Sequence, residues 1–192
     1  MKYAVFFRNL NLGRRNCPDR TLLERAFAEA GALRPASFQV NGTLVFEARG
    51  DAAARAVLNR ARRALREACG LAEPAFVRRM EVLAALVAAD PFAGQDQSEV
   101  YDCCVSFLAP GIESPDALLP LRSTRGDVEV FGYDRAAHAA LALSRQLGAG
   151  PGSPNALLER VLGTPVTTRN WGTLTRLVAR HVGRGGKAVS RT

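Results

Sequence analysis

Apolar positions along the chain fall into short runs and stripes whose period changes from segment to segment. Residues 2–8 form a near-continuous apolar run, the pattern of a strand buried on both faces. Pro18 suits the first turn of a helix, with Leu22, Leu23, Ala26, Phe27 and Ala30 as one stripe and Gly31 as its end. Residues 37–40 and 43–48 read as strands on either side of Asn41-Gly42, a two-residue hairpin signal because both residue types tolerate positive φ. Asp51 is placed to cap a long helix that turns Val57, Leu58, Ala61, Leu65 and Ala68 inward and closes at Gly70. Residues 74–79 return as a strand, and a short helix over 81–89 stops at Asp90-Pro91.

That order (strand, helix, strand, strand, helix, strand) is the split βαβ, or ferredoxin-like, unit. The second half starts in the same way. Residues 100–108 read as a strand, Pro110-Gly111 as a turn, 114–121 as a short helix and 127–133 as an alternating strand. Residues 135–147 pose a conflict, because their Ala and Leu content favours helix while a repeated unit needs a strand near 139–144. The architecture decides for the strand. A helix over 155–162, a strand over 165–169 and a helix over 170–182 complete the chain. The predicted fold class is therefore α+β, two ferredoxin-like units in tandem. The expected division is 1–91 for the first unit, 92–98 for a linker, 99–182 for the second unit and 183–192 for a basic disordered tail.

The segment from Pro165 to Thr173 holds the only tryptophan and sets two threonines and an arginine beside a helix N-terminus with Asn170 as its cap. Three groups of residues look familiar beside it. The run Val5-Phe6-Phe7-Arg8-Asn9-Leu10-Asn11-Leu12-Gly13 resembles F-L-R-G-I-N-V-G, and Asn41 to Phe46 resembles S-G-N-V-x-F. Asn155 to Glu159 resembles N-x-x-L-E, and Thr167 to Thr173 resembles T-T-R-N-W-N-T. In this order they resemble a bacterial family catalogued as domain of unknown function 1697. The resemblance implies two ferredoxin-like units in tandem and no particular activity. Asn9, Arg14, Asn41, Thr43 and Gly172 depart from the family pattern, and the lysine usual near Gly152-Ser153-Pro154 is missing.

The leading candidate site joins two strand-to-helix junctions. Arg8, Asn11 and Gly13 belong to the first, and Thr167, Thr168, Arg169, Asn170 and Trp171 to the second. Both junctions offer arginines beside the positive end of a helix dipole, and the planar guanidinium fork matches phosphate or carboxylate. The expected partner is a small anionic or phosphate-bearing ligand in a cleft between the units. The same residues also read as ordinary caps, turns and packing groups.

Composition narrows the alternatives. The formal net charge is +8 and the pI about 10.2, and nearly all the positive charge is arginine, since Lys2 and Lys187 are the only lysines. Arg55, Arg60, Arg62, Arg63 and Arg66 on the long helix are the candidate nucleic-acid contacts, read either as a solvated helix face or as a polyanion surface. Two histidines and four cysteines without C-x-x-C spacing predict no metal site, and no phosphate-loop motif or cofactor signature occurs. Asp19, Glu24 and Asp134 have no spacing that makes a catalytic pair, so an enzymatic reading has no placed general base. The apolar run at the N-terminus is too short for a signal peptide and no run reaches ~18 residues, which predicts a cytoplasmic protein without a membrane span.

Overall fold

Strand β1 (Lys2–Phe7) sends Tyr3, Val5 and Phe7 to one face of a sheet and Ala4 and Phe6 to the other, and all five are buried. Period-two alternation with both faces apolar is what the continuous run encodes. The computed structural model describes residues 1–112 and 115–182, so the segment 183–192 lies outside the described residues. After β1 come α1 (Arg20–Glu29), β2 (Leu33–Phe38), β3 (Thr43–Glu47), α2 (Asp51–Cys69), β4 (Ala75–Arg79) and α3 (Met80–Ala89). The first sheet has the antiparallel order β2-β3-β1-β4, which is the arrangement a split βαβ connection produces.

The second sheet is built from β5 (Val100–Phe107), β6 (Leu121–Arg122), β7 (Val128–Asp134), β8 (Ala139–Arg145) and β9 (Thr167–Asn170), in the order β6-β7-β8-β5-β9. The helix α4 (Pro154–Leu162) precedes β9, and α5 (Trp171–Val182) follows it. Apart from the short edge strand β6, the second sheet repeats the order of the first. Where the first has α1, the second has a 3₁₀ turn over Pro115–Leu118 followed by β6, not the helix expected over 114–121. The protein is α+β, with two antiparallel sheets and five α-helices among the described residues.

Three apolar layers hold these parts together. One face of the first sheet packs under α1 and α2, through Tyr3, Val5, Phe7, Leu44 and Phe46. Its other face meets the second sheet, with α3 and α5 closing the layer, and there Phe6 stacks on Phe107 with ring centroids 4.2 Å apart. The far face of the second sheet packs on α4. This arrangement explains the strand at 139–145. Ala139, Leu141 and Leu143 face the inter-sheet layer while Ala140 and Ala142 face α4, so both sides are buried and small residues fit. Tertiary burial overrides the helix propensity of alanine here. Phe92, from the segment read as a linker, is only 1% exposed and packs against Phe131 and Trp171.

Local chemistry corrects several boundaries. Asp19, not Pro18, starts α1, and its carboxylate accepts the Leu22 N–H at 2.7 Å. Gly50 is the N-cap of α2, which leaves the Asp51 side chain free for other partners. The β2–β3 connection is wider than a two-residue hairpin, because Phe38 pairs with Thr43 and residues 39–42 form the turn. Gln39 and Gly42 both have positive φ, 58° and 68°. A Cβ on Gly42 would lie 2.7 Å from the Leu10 Cβ, so this glycine is required both by its conformation and by close packing.

Gly42→Ala is expected to destabilise the protein by about 2 kcal/mol or more, combining left-handed strain with overpacking. Gly94→Ala, where a Cβ would meet nothing within 4 Å, is the control and should change stability by less than ~0.5 kcal/mol. Urea unfolding of both variants measures the difference.

Candidate functional site

The two sequence-predicted junctions meet where β9 approaches the end of β1. Arg169, the third residue of β9, is 7% exposed and has no carboxylate partner among the described residues. Its Nε donates to Thr43 Oγ1 at 3.0 Å, and Nη1 donates to Thr167 Oγ1 at 3.0 Å and to the Thr168 carbonyl at 2.8 Å. Nη2 donates to the carbonyls of Phe7 at 2.9 Å and Asn41 at 2.7 Å. All five guanidinium donors are thereby used on neutral acceptors from β1, the β2–β3 turn, β3 and β9. Burial pushes the pKa of this group down to about 10, still well above neutral pH, and the charge lies over the Phe6 ring at 5.6 Å.

Arg8 is held differently. It stands just beyond β1, and its Nε and Nη2 grip both oxygens of Glu159 on α4 at 2.6 and 2.9 Å, while Nη1 reaches Glu73 at 3.2 Å. The Glu159 bond raises the Arg8 pKa further above its ordinary value, and the same bond holds the Glu159 carboxyl below its own. Glu159 also accepts the Val166 N–H, which ties α4 to the start of β9. Thr167 donates to the Phe7 carbonyl at 3.2 Å, and the Thr168 hydroxyl bonds Asn155 and Ser106, each at 2.6 Å. Asn170 ends β9 and hydrogen-bonds the Asp102 carboxyl, whose pKa burial raises.

The motif residues therefore converge, and they converge on one another. Arg169, Thr167 and Thr168 join Asn41, Thr43 and Asn155 in one hydrogen-bonded set that binds the two sheets, and Arg8 with Glu159 forms a second set beside it. Asn11 and Gly13 stay in an exposed loop, and Trp171 turns away to pack on Phe92 at 5.0 Å. The arginines of α2 separate into groups. Arg60 donates to the Ala30 carbonyl beside α1, and Arg63 lies in the shallow depression there with Glu29 and Glu67. Arg55, Arg62 and Arg66 follow one another at spacings of seven and four residues, which puts them in one stripe on the side of α2 away from α1.

Two features were not visible in the sequence. The first is Arg78 of β4, 8% exposed, which mirrors Arg169. Its Nε donates to the Ala137 carbonyl, its Nη2 to the carbonyls of Leu108 and His138, and its guanidinium lies 5.4 Å from the Phe107 ring centroid. Arg78 pairs with Ala4 in the first sheet as Arg169 pairs with Val105 in the second. The two sheets thus exchange equivalent arginines about an approximate two-fold axis through the Phe6–Phe107 stack. The second feature is a groove of about 490 Å³ at the open edge of β4, walled by Tyr3, Asp51, Arg55, Val77 and Arg79 from the helical face of the first sheet and by Pro110 and Ala136 from the turns of the second. Asp51 accepts from Tyr3 Oη at 3.0 Å and from Arg79 Nε at 2.7 Å, and Arg79 also reaches Glu81 at 3.1 Å. Arg55 makes no ion pair among the described residues.

Among the described residues no cluster of three metal-ligating side chains occurs, and no helix is long and apolar enough to cross a membrane. The fold and its contacts define an α+β protein whose two similar sheets are clamped face to face by buried arginines. Residues 1–137 match the model of a family described as "Protein of unknown function (DUF1697)", and the chain belongs to that family. The matched stretch ends before the Thr167 to Thr173 motif. No curated protein matches the chain. Among solved structures, a conserved bacterial protein from Streptococcus pneumoniae is similar, with a TM-score of 0.63 at 14% identity, over 92% of this chain and 96% of that one. That likeness concerns the fold.

Arg169→Met is expected to cost about 3–5 kcal/mol, because several buried acceptors lose their donor at ~1–3 kcal/mol each. Arg169→Lys should recover little, since three donors on one nitrogen cannot serve acceptors spread around a planar fork. A loss below about 1 kcal/mol in urea unfolding would remove the clamp from this account. The groove wall has its own acid signature. The Arg79 hydrogen bond lowers the Asp51 pKa from 3.8 to about 2, so its contribution is complete above about 3.8 and is lost as pH falls through about 2. Asp51→Asn should flatten the pH dependence of the urea midpoint across that window.

Proposed function

We propose that the protein binds a small anionic or phosphate-bearing ligand in the groove at the β4 edge, between α2 and the turns of the second sheet. The supporting observation is the charge on its walls, where three arginines, Arg55, Arg78 and Arg79, line the groove with one carboxylate, Asp51. Arg79 neutralises Asp51, and Arg78 spends its donors on backbone carbonyls, so Arg55 is the guanidinium free to meet an anion. The floor between these groups is apolar, formed by Ala54, Val77, Val82, Pro110 and Ala136. An apolar floor with one convergent cation suits a ligand that has a flat or aliphatic body and a charged group at its edge. Arg8 and Arg169 serve this reading indirectly, because their donors are engaged within the protein and they set the spacing of the sheets that form the groove.

A thermal-shift screen against phosphorylated metabolites and nucleotides tests the proposal. A ligand at a hundredfold excess over its Kd adds about 2.7 kcal/mol, a rise in Tm on the order of 5–10 °C for a chain of this size. Arg55→Glu should keep the unliganded midpoint, since the residue is exposed, and abolish the rise. A rise that survives Arg55→Glu would place the ligand elsewhere, and no rise with any phosphate-bearing compound would end this reading.

A further inference from the structure

We propose that the ligand of this groove is a single-stranded nucleic acid, seated by one base in the groove at the β4 edge and by its following phosphates along the arginine stripe of α2. The proposal rests on the groove reading above and extends it, because Arg55 belongs to both surfaces. From Arg55 the stripe continues to Arg62 and Arg66, about 10 Å and then about 6 Å further along the helix axis. Some surface arginines have a carboxylate within reach, as Arg25 has Glu29, Arg34 has Glu47 and Arg122 has Glu129. Along the stripe Arg55 feels the charge of Asp51 one turn back on the helix, a carboxylate that Arg79 already holds, while Arg62 and Arg66 make no ion pair among the described residues and Arg62 is half-buried beside Arg66. Like charges four residues apart on a helix repel, so the pair Arg62 and Arg66, with Arg55 two turns before it, forms a row that anions supplied from outside would relieve. Each guanidinium fork accepts a phosphate through two parallel hydrogen bonds.

An extended acidic peptide is the competing occupant, and the edge of the first sheet speaks against it. Such a peptide would dock by adding a strand to β4. Arg8 N–H bonds the Pro74 carbonyl, so by the alternation of an antiparallel ladder the Val77 carbonyl points outward from the edge. The Nη1 of Arg78 already occupies that carbonyl at 2.9 Å. The edge is capped at its centre, while the charge row beside it stays open.

Fluorescence anisotropy of the full chain tests the proposal with three probes: thymidine monophosphate, an oligothymidylate of about eight nucleotides, and an oligoglutamate of the same length. Three phosphates engaged on the stripe predict a slope of log affinity against log salt of about −2 for the oligothymidylate. The double variant Arg62→Ala/Arg66→Ala should reduce that slope by about 1.4 and leave mononucleotide binding unchanged. Arg55→Glu should weaken both nucleotide probes. An unchanged slope in the double variant, or oligoglutamate binding as tight as the oligothymidylate's, overturns the nucleic-acid assignment. Mononucleotide binding with no gain for the oligomer also overturns it but leaves the groove reading standing, whereas no binding of either nucleotide probe ends both. Unfolding midpoints equal to the unmutated chain's confirm that each variant is folded.

Discussion

The arrangement of this protein depends on a reciprocal exchange of two buried arginines. Each sheet sends a guanidinium from its outermost strand beside the first one into the other sheet, Arg78 in one direction and Arg169 in the other. A buried cation without a counter-ion is costly unless its donors are satisfied. Here they are satisfied by carbonyls and hydroxyls that would themselves be short of partners at the end of a strand and in a turn. Phe7 and Leu108 occupy corresponding places after the stacked phenylalanines, and each gives its carbonyl to the opposite arginine. The charge penalty and the unpaired carbonyls thus cancel each other only when the sheets are docked in this register. Apolar contact alone would tolerate sliding between two flat layers, whereas the six directed guanidinium hydrogen bonds that cross between them would not.

The same constraint explains what the sequence disclosed. The first sheet was legible because its signals are local: a doubly apolar β1, two helical stripes and glycines at the helix ends. The strand at 139–145 was legible only through architecture, since Ala139 to Arg145 has helix-like composition and its two-sided burial is a tertiary fact. The motif around Arg169 could be seen to matter, yet its role could not be read from spacing. A guanidinium aimed at phosphate and one aimed at backbone carbonyls use the same residue, and the acceptors lie more than a hundred residues away in β1, at Asn41 and at Thr43. Arg78 gave even less warning. It sits in Phe76-Val77-Arg78-Arg79, where one arginine is buried between the sheets and its neighbour points to Asp51 on the helical face. Strand alternation separates the two, and only the second sheet decides which of them is enclosed.

Capacity for binding follows from the way charge is divided over the molecule. Interior arginines and the Arg8 cluster are consumed in holding α4, β1 and β9 together. Of the positive charge on α2, Arg60 is spent on the Ala30 carbonyl, while the guanidiniums of Arg55, Arg62 and Arg66 make no hydrogen bond or ion pair among the described residues. A protein with pI about 10.2 therefore separates two uses of one residue type, structural where acceptors are neutral and enclosed, and available where the helix meets solvent.

The approximate two-fold relation between the sheets gives the clamp the form of an isologous contact, the kind that two copies of one subunit make with each other. In a dimer of separate subunits such a contact weakens on dilution. Here both halves are in one chain, joined by the short stretch between α3 and β5, so each meets its counterpart at an effective concentration set by that tether and not by the protein's own concentration. The protein keeps the symmetry of a dimer interface while its association has become unimolecular. The groove along that interface consequently stays assembled however scarce the protein is.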